Sequence, residues 1–246
     1  MNEGPIQENS YFFPAEDISR YIKKLRETEY YEDILLHVET DTRILILTHD
    51  DIFDHKMNAI EKEYKITSTW FLDPSENEEK VPEGLDIHLH FNKESHFTLK
   101  DQIRMFKTKY GKMPKYNRNH RLLWRSNNFD FPFLAMNGII VDSTLIGTRP
   151  FIPIINGKKI PIIEMPFSIS DIPQRPMALY TIPKTIETPF KNGQNIITVL
   201  SHPFDICNRY QMKSCFDEVI DMAEKYDYLV MNIENFIKSF FKPREL

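Results

Sequence analysis

The chain has 246 residues, enough for one large α/β domain or at most two small ones. It is 41% hydrophobic and 27% charged, which excludes a disordered chain and leaves a globular protein with a sizeable core. The formal net charge is -5, and basic residues are interleaved with acids rather than grouped, which argues against a nucleic-acid-binding protein.

In chain order, residues 43–48 (R-I-L-I-L-T) read as a buried strand and 53–64 as a helix. Residues 67–72 are β-branched and aromatic and read as a strand, followed by a polar loop over 73–84 with two prolines and four glutamates. A strand over 86–91 leads to a helix over 98–110, where Thr98 and Asp101 form a capping-box pattern and Gly111 stops the helix. Residues 118–124 read as strand and loop, 126–136 as a helix despite Pro132, and 138–142 as a strand. Later come a strand over 196–201, a helix over 214–226, a strand over 228–231 and a helix over 235–241.

About seven strands alternating with helices predict parallel βαβ units in a (β/α) barrel rather than a small open sheet, one domain spanning 1–246. Eight of the 16 prolines fall between Pro150 and Pro189. Proline removes a ladder donor and stops helices, so 150–190 is expected to be an irregular insertion, a decorated loop or an extra hairpin over one face of the barrel.

Two cysteines, Cys207 and Cys215, cannot make a disulfide framework or a four-cysteine zinc site, and read as reduced thiols. Residues 1–13 are polar and carry no basic segment followed by an apolar run, and no stretch of 18 apolar residues occurs. The expected compartment is the cytoplasm, with no membrane partner.

Four strand ends carry chemistry-bearing residues, and a barrel brings the C-terminal ends of its strands to one rim. Thr48-His49-Asp50-Asp51 places two carboxylates together after the first strand. Such a pair either caps a helix or needs a cation, a shared proton or solvent; with a divalent metal, one carboxylate can be a ligand and the other a general base. In Asp86-Ile87-His88-Leu89-His90, His88 and His90 share one strand face, either solvated or metal-binding, with Glu94 and His96 in the following loop. Arg118-Asn119-His120-Arg121-Leu122-Leu123-Trp124 offers an arginine to pin a carboxylate and a tryptophan face for a sugar ring, or a plain surface loop with a core tryptophan. Leu200-Ser201-His202-Pro203 places a histidine as a general acid, or as a buried, satisfied one.

Taken in order, these clusters resemble the motifs of the polysaccharide deacetylases, the NodB-homology carbohydrate esterases. A T-F-D-D motif corresponds to T-H-D-D here, metal histidines to D-I-H-L-H, an arginine motif to Arg118, and Leu-His to L-S-H-P with one residue inserted. A divergent deacetylase-like branch is more similar still, through R-N-H-R-L-L-W at 118–124, G-I-I-V-D-S-T-L at 138–145 and I-E-M-P at 163–166.

The resemblance implies a distorted (β/α) barrel of about seven strands. It implies a metal-dependent hydrolase that removes an acetyl group from an N-acetylated sugar or glycan precursor, with a divalent metal, commonly zinc. It implies Asp50 as general base oriented by Arg118, His202 as general acid, and Asp51 and His90 as metal ligands; His96 is the first candidate for the third ligand, with His88, Glu94 and His120 as alternatives. His120 and Trp124 would contact substrate. The family's second motif has two histidines with three residues between them, whereas the position four after His90 is Glu94, and Ile52 replaces a glycine after the aspartates. Other outcomes are a catalytically inactive barrel that binds glycan or a protein partner, an amidohydrolase acting on a cyclic ureide, and a homo-oligomer joined through Phe236, Phe240 and Phe241.

Overall fold

The computed structural model describes residues 32–35, 42–76, 78–171 and 182–240. Among them the strands are β1 (Glu32–Leu35), β2 (Arg43–His49), β3 (Thr69–Leu72), β4 (Asp86–Phe91), β5 (Tyr116–Asn119), β6 (Val141–Asp142), β7 (Phe151–Ile155), β8 (Lys158–Lys159), β9 (Ile163–Glu164), β10 (Ile169–Ser170), β11 (Ile196–Ser201) and β12 (Tyr228–Met231). The helices are α1 (His55–Tyr64), α2 (Leu99–Tyr110), α3 (Asn127–Met136), α4 (Ile182–Lys191), α5 (Pro203–Asn208), α6 (Tyr210–Lys225) and α7 (Ile233–Phe240).

All twelve strands join one sheet in the order β1-β7-β9-β6-β5-β4-β3-β2-β11-β10, with β8 on β7 and β12 on β2. From β9 through β10 every pairing is parallel; β1, β7 and β8 add an antiparallel margin. β2 lies at the centre. It pairs with β11 along 44–49 on one edge, while β12 (at 43–46) and β3 (at 48–49) divide the other. Its residues Ile44 to His49 are all fully buried, which is why this strand reads as a continuous apolar run rather than an alternating one.

Strand alternation divides the core in two. Leu45, Leu47, Trp70, Leu72, Ile87 and Leu89 face the helices, where Met57, Ile103, Phe106, Phe131 and Phe216 pack on them. The opposite parity, Ile44, Ile46, Phe71, Tyr116, Val141 and Ile163, lines the inside of the curl with Ile233 and Phe236 of α7. Each such fully buried side chain contributes roughly 1.5–3 kcal/mol. The Ile233 amide donates to Thr69 Oγ1 at 2.9 Å, so α7 closes the N-terminal end of the strands. Phe236 is buried in that floor with Phe240 packed against it; Phe241 lies outside the described residues.

The helix signals are realised. Thr98 and Asp101 form a reciprocal capping box on α2, and Gly111 ends it at φ 71°. The proline-rich stretch behaves differently from an external decoration. It supplies the β7–β8 hairpin, but β9 and β10 enter the parallel sheet itself; 172–181 lie outside the described residues. No helix among the described residues is long and apolar enough to cross a membrane. Cys207 and Cys215 are free, and burial, followed by the nearby Asp54 charge, pushes the Cys207 thiol up to about 12, as suits an unreactive thiol.

His88 belongs to this scaffold. Its Nδ1 accepts from the Lys115 and Tyr116 amides, both at 3.2 Å, which leaves the proton on Nε2 to donate to Asp86 at 2.9 Å. Asp86 in turn accepts from Thr69 Oγ1. Burial holds His88 below its ordinary value in spite of Asp86, with Lys112 and Glu234 the other charges nearby. Burial raises Asp86, but its bonds to His88 and Thr69 outweigh that and lower it. The unfolded chain therefore takes up protons that the folded one refuses, and stability is expected to fall as pH drops below about 6.5. His88→Leu removes the acceptor of the Lys115 and Tyr116 amides and strands the buried Asp86 carboxylate, and denaturant titration should show a loss of about 2–4 kcal/mol.

Candidate metal and catalytic site

The C-terminal rim of the parallel strands brings together Asp50, Asp51, His90, Arg118, His120 and His202. The chain leaves β2 through a tight turn. The Asp50 amide donates to the Ser201 carbonyl at 2.9 Å, and the Asp51 carbonyl accepts from the Asp73 amide at 2.9 Å. Between these anchors Asp51 adopts φ 74°, and at the end of β5 Arg121 and Leu122 take φ 52° and 54°. Left-handed backbone costs a non-glycine residue about 1–2 kcal/mol, and here it serves to aim two rim turns inward.

Asp50 and Asp51 consequently face different partners. Asp50 is buried and accepts from Arg118 Nη1 at 2.8 Å. Arg118 is itself fully buried. Its Nη1 also donates to Thr48 Oγ1 at 2.7 Å, its Nε to the Ser143 carbonyl at 2.7 Å and its Nη2 to Ser143 Oγ at 2.6 Å, while Phe71 packs on the guanidinium with the ring centre 4.7 Å away. The planar fork is thus held at every edge and can only present Nη1 to Asp50.

Asp51 instead reaches the two histidines. Asp51 Oδ1 lies 3.1 Å from His90 Nε2 and 3.4 Å from His120 Nδ1, and the two ring nitrogens are 3.1 Å apart. These three are the group among the described residues whose ligand atoms converge as for a metal ion. Two donors bound to zinc at 2.0–2.1 Å in tetrahedral geometry lie roughly 3.3 Å from each other, so the triangle fits a divalent cation. A proton placed on any one edge leaves another edge of facing lone pairs or facing protons; a single cation satisfies all three. Burial pushes the Asp51 carboxyl up, but His120, His90 and His202 outweigh it and hold the group well below the usual carboxylate range. The Asp51 carboxylate correspondingly pushes His120 up against the effect of burial.

His202 lies across from this triangle. Its Nδ1 is 2.9 Å from Asp171 Oδ1, its amide bonds the other Asp171 oxygen, and its Nε2 points into the site 3.8 Å from Asp51 Oδ2. Burial pulls the imidazole down, but Asp171 first, then the Asp50 and Asp51 charges, push it up to about 9. The ring is therefore a proton donor at neutral pH, facing inward.

His96, expected as a third ligand, is not brought to the group. Asn92 Oδ1 accepts from the Glu94 and Ser95 amides, a turn that leads into the Thr98 cap and leaves His96 exposed against Phe97, with ring centres 3.9 Å apart. Glu94 also turns outward, to Arg121 at 3.0 Å. His120, assigned to substrate contact, takes the third corner of the triangle instead. Trp124 lies half-buried next to that turn, with its ring against Phe131 and its Nε1 donating to Asn127 at 2.9 Å. Sequence reasoning missed Asp171. It follows a two-residue strand 31 positions before His202, and no local pattern marks it.

No family model matches the chain, and no curated protein matches it in sequence. Solved structures do match. A Mycobacterium smegmatis protein classed as a polysaccharide deacetylase superposes with a TM-score of 0.58 at 15% identity, covering 85% of this chain and 95% of the other. A CE4 esterase from Streptococcus mutans gives 0.52 at 15% identity over 85% and 90%. A peptidoglycan deacetylase from Bacillus subtilis gives 0.51 at 13% identity over 83% and 94%. The chain has the fold of the polysaccharide deacetylases: a curled, mixed sheet wrapped by helices.

Proposed function

We propose that this protein is a metal-dependent deacetylase that hydrolyses the acetamido group of an N-acetylated sugar or glycan precursor. The observation that carries this reading is the meeting of three units on one rim: the Asp51–His90–His120 triangle, Asp50 held by Arg118, and His202 held by Asp171. Likeness of fold to deacetylases supports it.

Two imidazoles and a carboxylate suit zinc, which when bound polarises a carbonyl and lowers the pKa of water. Asp50 is placed to take a proton from the attacking water, with Arg118 fixing its orientation. As water adds to the acetyl carbon and the C–N bond breaks, His202 Nε2 delivers a proton to the departing nitrogen, and Asp171 stabilises the imidazolium that carries it. The products are acetate and a free amine, so protons and atoms balance.

The test uses protein purified without chelator or metal-affinity resin. Elemental analysis should find about one divalent ion per chain. Incubation with N-acetylglucosamine oligosaccharides should release acetate, chelation should abolish that release, and added zinc should restore it. Failure to take up any divalent ion on titration would overturn the reading.

A further inference from the structure

Asp142 and Glu164 are fully buried, and the proposed reaction uses neither. They are direct register partners across the parallel β6–β9 pair, so their side chains stand next to each other on the same face of the sheet. Two carboxylates at that spacing in a dry interior cannot both ionise. The surrounding donors decide where the proton sits. Asp142 accepts at both oxygens, from Asn117 Nδ2 at 2.7 Å and from the Thr144 amide at 3.1 Å. Glu164 Oε1 accepts from the Leu145 amide at 2.8 Å and no donor is directed at Oε2, while the Asp142 carboxyl lies within hydrogen-bonding reach of the Glu164 carboxyl.

We infer that Glu164 is a neutral acid whose Oε2 proton is donated to an ionised Asp142, and that this pair positions Arg118 and the His120 turn. The turn over 142–145 is wrapped on the pair, and Ser143 in its middle supplies both the carbonyl and the hydroxyl that seat Arg118. Thr144 Oγ1 accepts from the Asn119 amide at 3.0 Å, and Asn119 Nδ2 donates to the Leu123 carbonyl at 2.9 Å, closing the turn that carries His120. Asn117 Nδ2 ties the two halves together, bonding both Asp142 and Asn119 Oδ1. Burial raises both acids, Glu164 the more, in line with this arrangement. The positioning role rests on the proposed use of Asp50 and His120; the location of the proton does not.

The first measurement is an infrared difference spectrum at neutral pH between the wild-type protein and Glu164→Gln. The wild type should show the carbonyl stretch of a protonated, buried carboxylic acid, and the variant should lack it. The amide of Glu164→Gln can donate to Asp142 as the acid did, so this variant should recover turnover relative to Glu164→Ala. Asp142→Asn sets an amide NH2 against one of two N–H donors. It should lower kcat and metal affinity by about 10–100-fold with KM little changed, at temperatures where the variant is folded. The assignment is overturned if Glu164→Gln removes no band, or if Asp142→Asn is tolerated as well as Glu164→Gln. If the wild type turns over no acetylated sugar, the proposed function fails while the infrared result still decides the proton, and metal affinity in Asp142→Asn still decides the positioning.

Discussion

Asp50→Asn is expected to lower turnover by about 10²–10⁴-fold while the protein keeps its metal. The asparagine oxygen can still accept from Arg118 Nη1, so the rim geometry survives, but the side chain can no longer take a proton from water. A stability cost accompanies the change, because Arg118 is fully buried and loses its compensating charge. Removing one partner of a buried pair costs about 3–5 kcal/mol in general. Here the guanidinium retains Ser143 O, Ser143 Oγ and Thr48 Oγ1 as acceptors, which places the expected loss at the lower end, about 3 kcal/mol. Steady-state acetate release, measured well below the unfolding midpoint and beside a metal determination, separates the two effects. Turnover within tenfold of wild type would remove Asp50 from the role of base.

The second large effect concerns the corner of the triangle that the sequence motif did not mark. His120→Ala should weaken divalent metal binding by more than the roughly 10–100-fold that loss of an outer hydrogen-bond partner costs, since it deletes a donor atom 3.1 Å from His90 Nε2 and 3.4 Å from Asp51 Oδ1. His96→Ala should leave affinity unchanged, because that ring is exposed and stacked on Phe97. Competition titration with a chromogenic chelator reads both variants. Equal weakening in the two, or weakening by His96→Ala alone, would contradict the triangle. The comparison also explains how the site dispenses with a histidine four residues after His90: Glu94 points to Arg121, and the turn after the neighbouring strand β5 supplies the donor instead.

Helix and strand signals were legible wherever the pattern was local and long. The continuous apolar run of β2, the Thr98–Asp101 box and Gly111 each state their own structure, because capping and alternation depend on residues within one turn or one strand. Two-residue strands such as β6, β9 and β10 are too short to show a period, so the proline-rich stretch read as an insertion although part of it lies in the sheet. The site divides in the same way. His-Asp-Asp, His90, Arg118 and His202 stood out because each follows or ends a strand with its own motif. Asp171 did not, since its importance consists in one contact to a residue 31 positions away.

By itself, then, the sequence determined the alternating α/β architecture, the strand ends that carry chemistry and the residue types available there. The resemblance gave Asp50 to Arg118 and Asp51 to the metal histidines, and the tertiary structure supplied the turn that separates the two carboxylates. Tertiary structure alone selected His120 over His96, made His88 part of the floor, and paired Asp142 with Glu164 in a single register. The physical reason is that hydrogen-bond periodicity is a property of neighbouring residues. Ligand convergence and proton placement depend instead on strand register and on the direction of rim turns, and long-range pairing sets both.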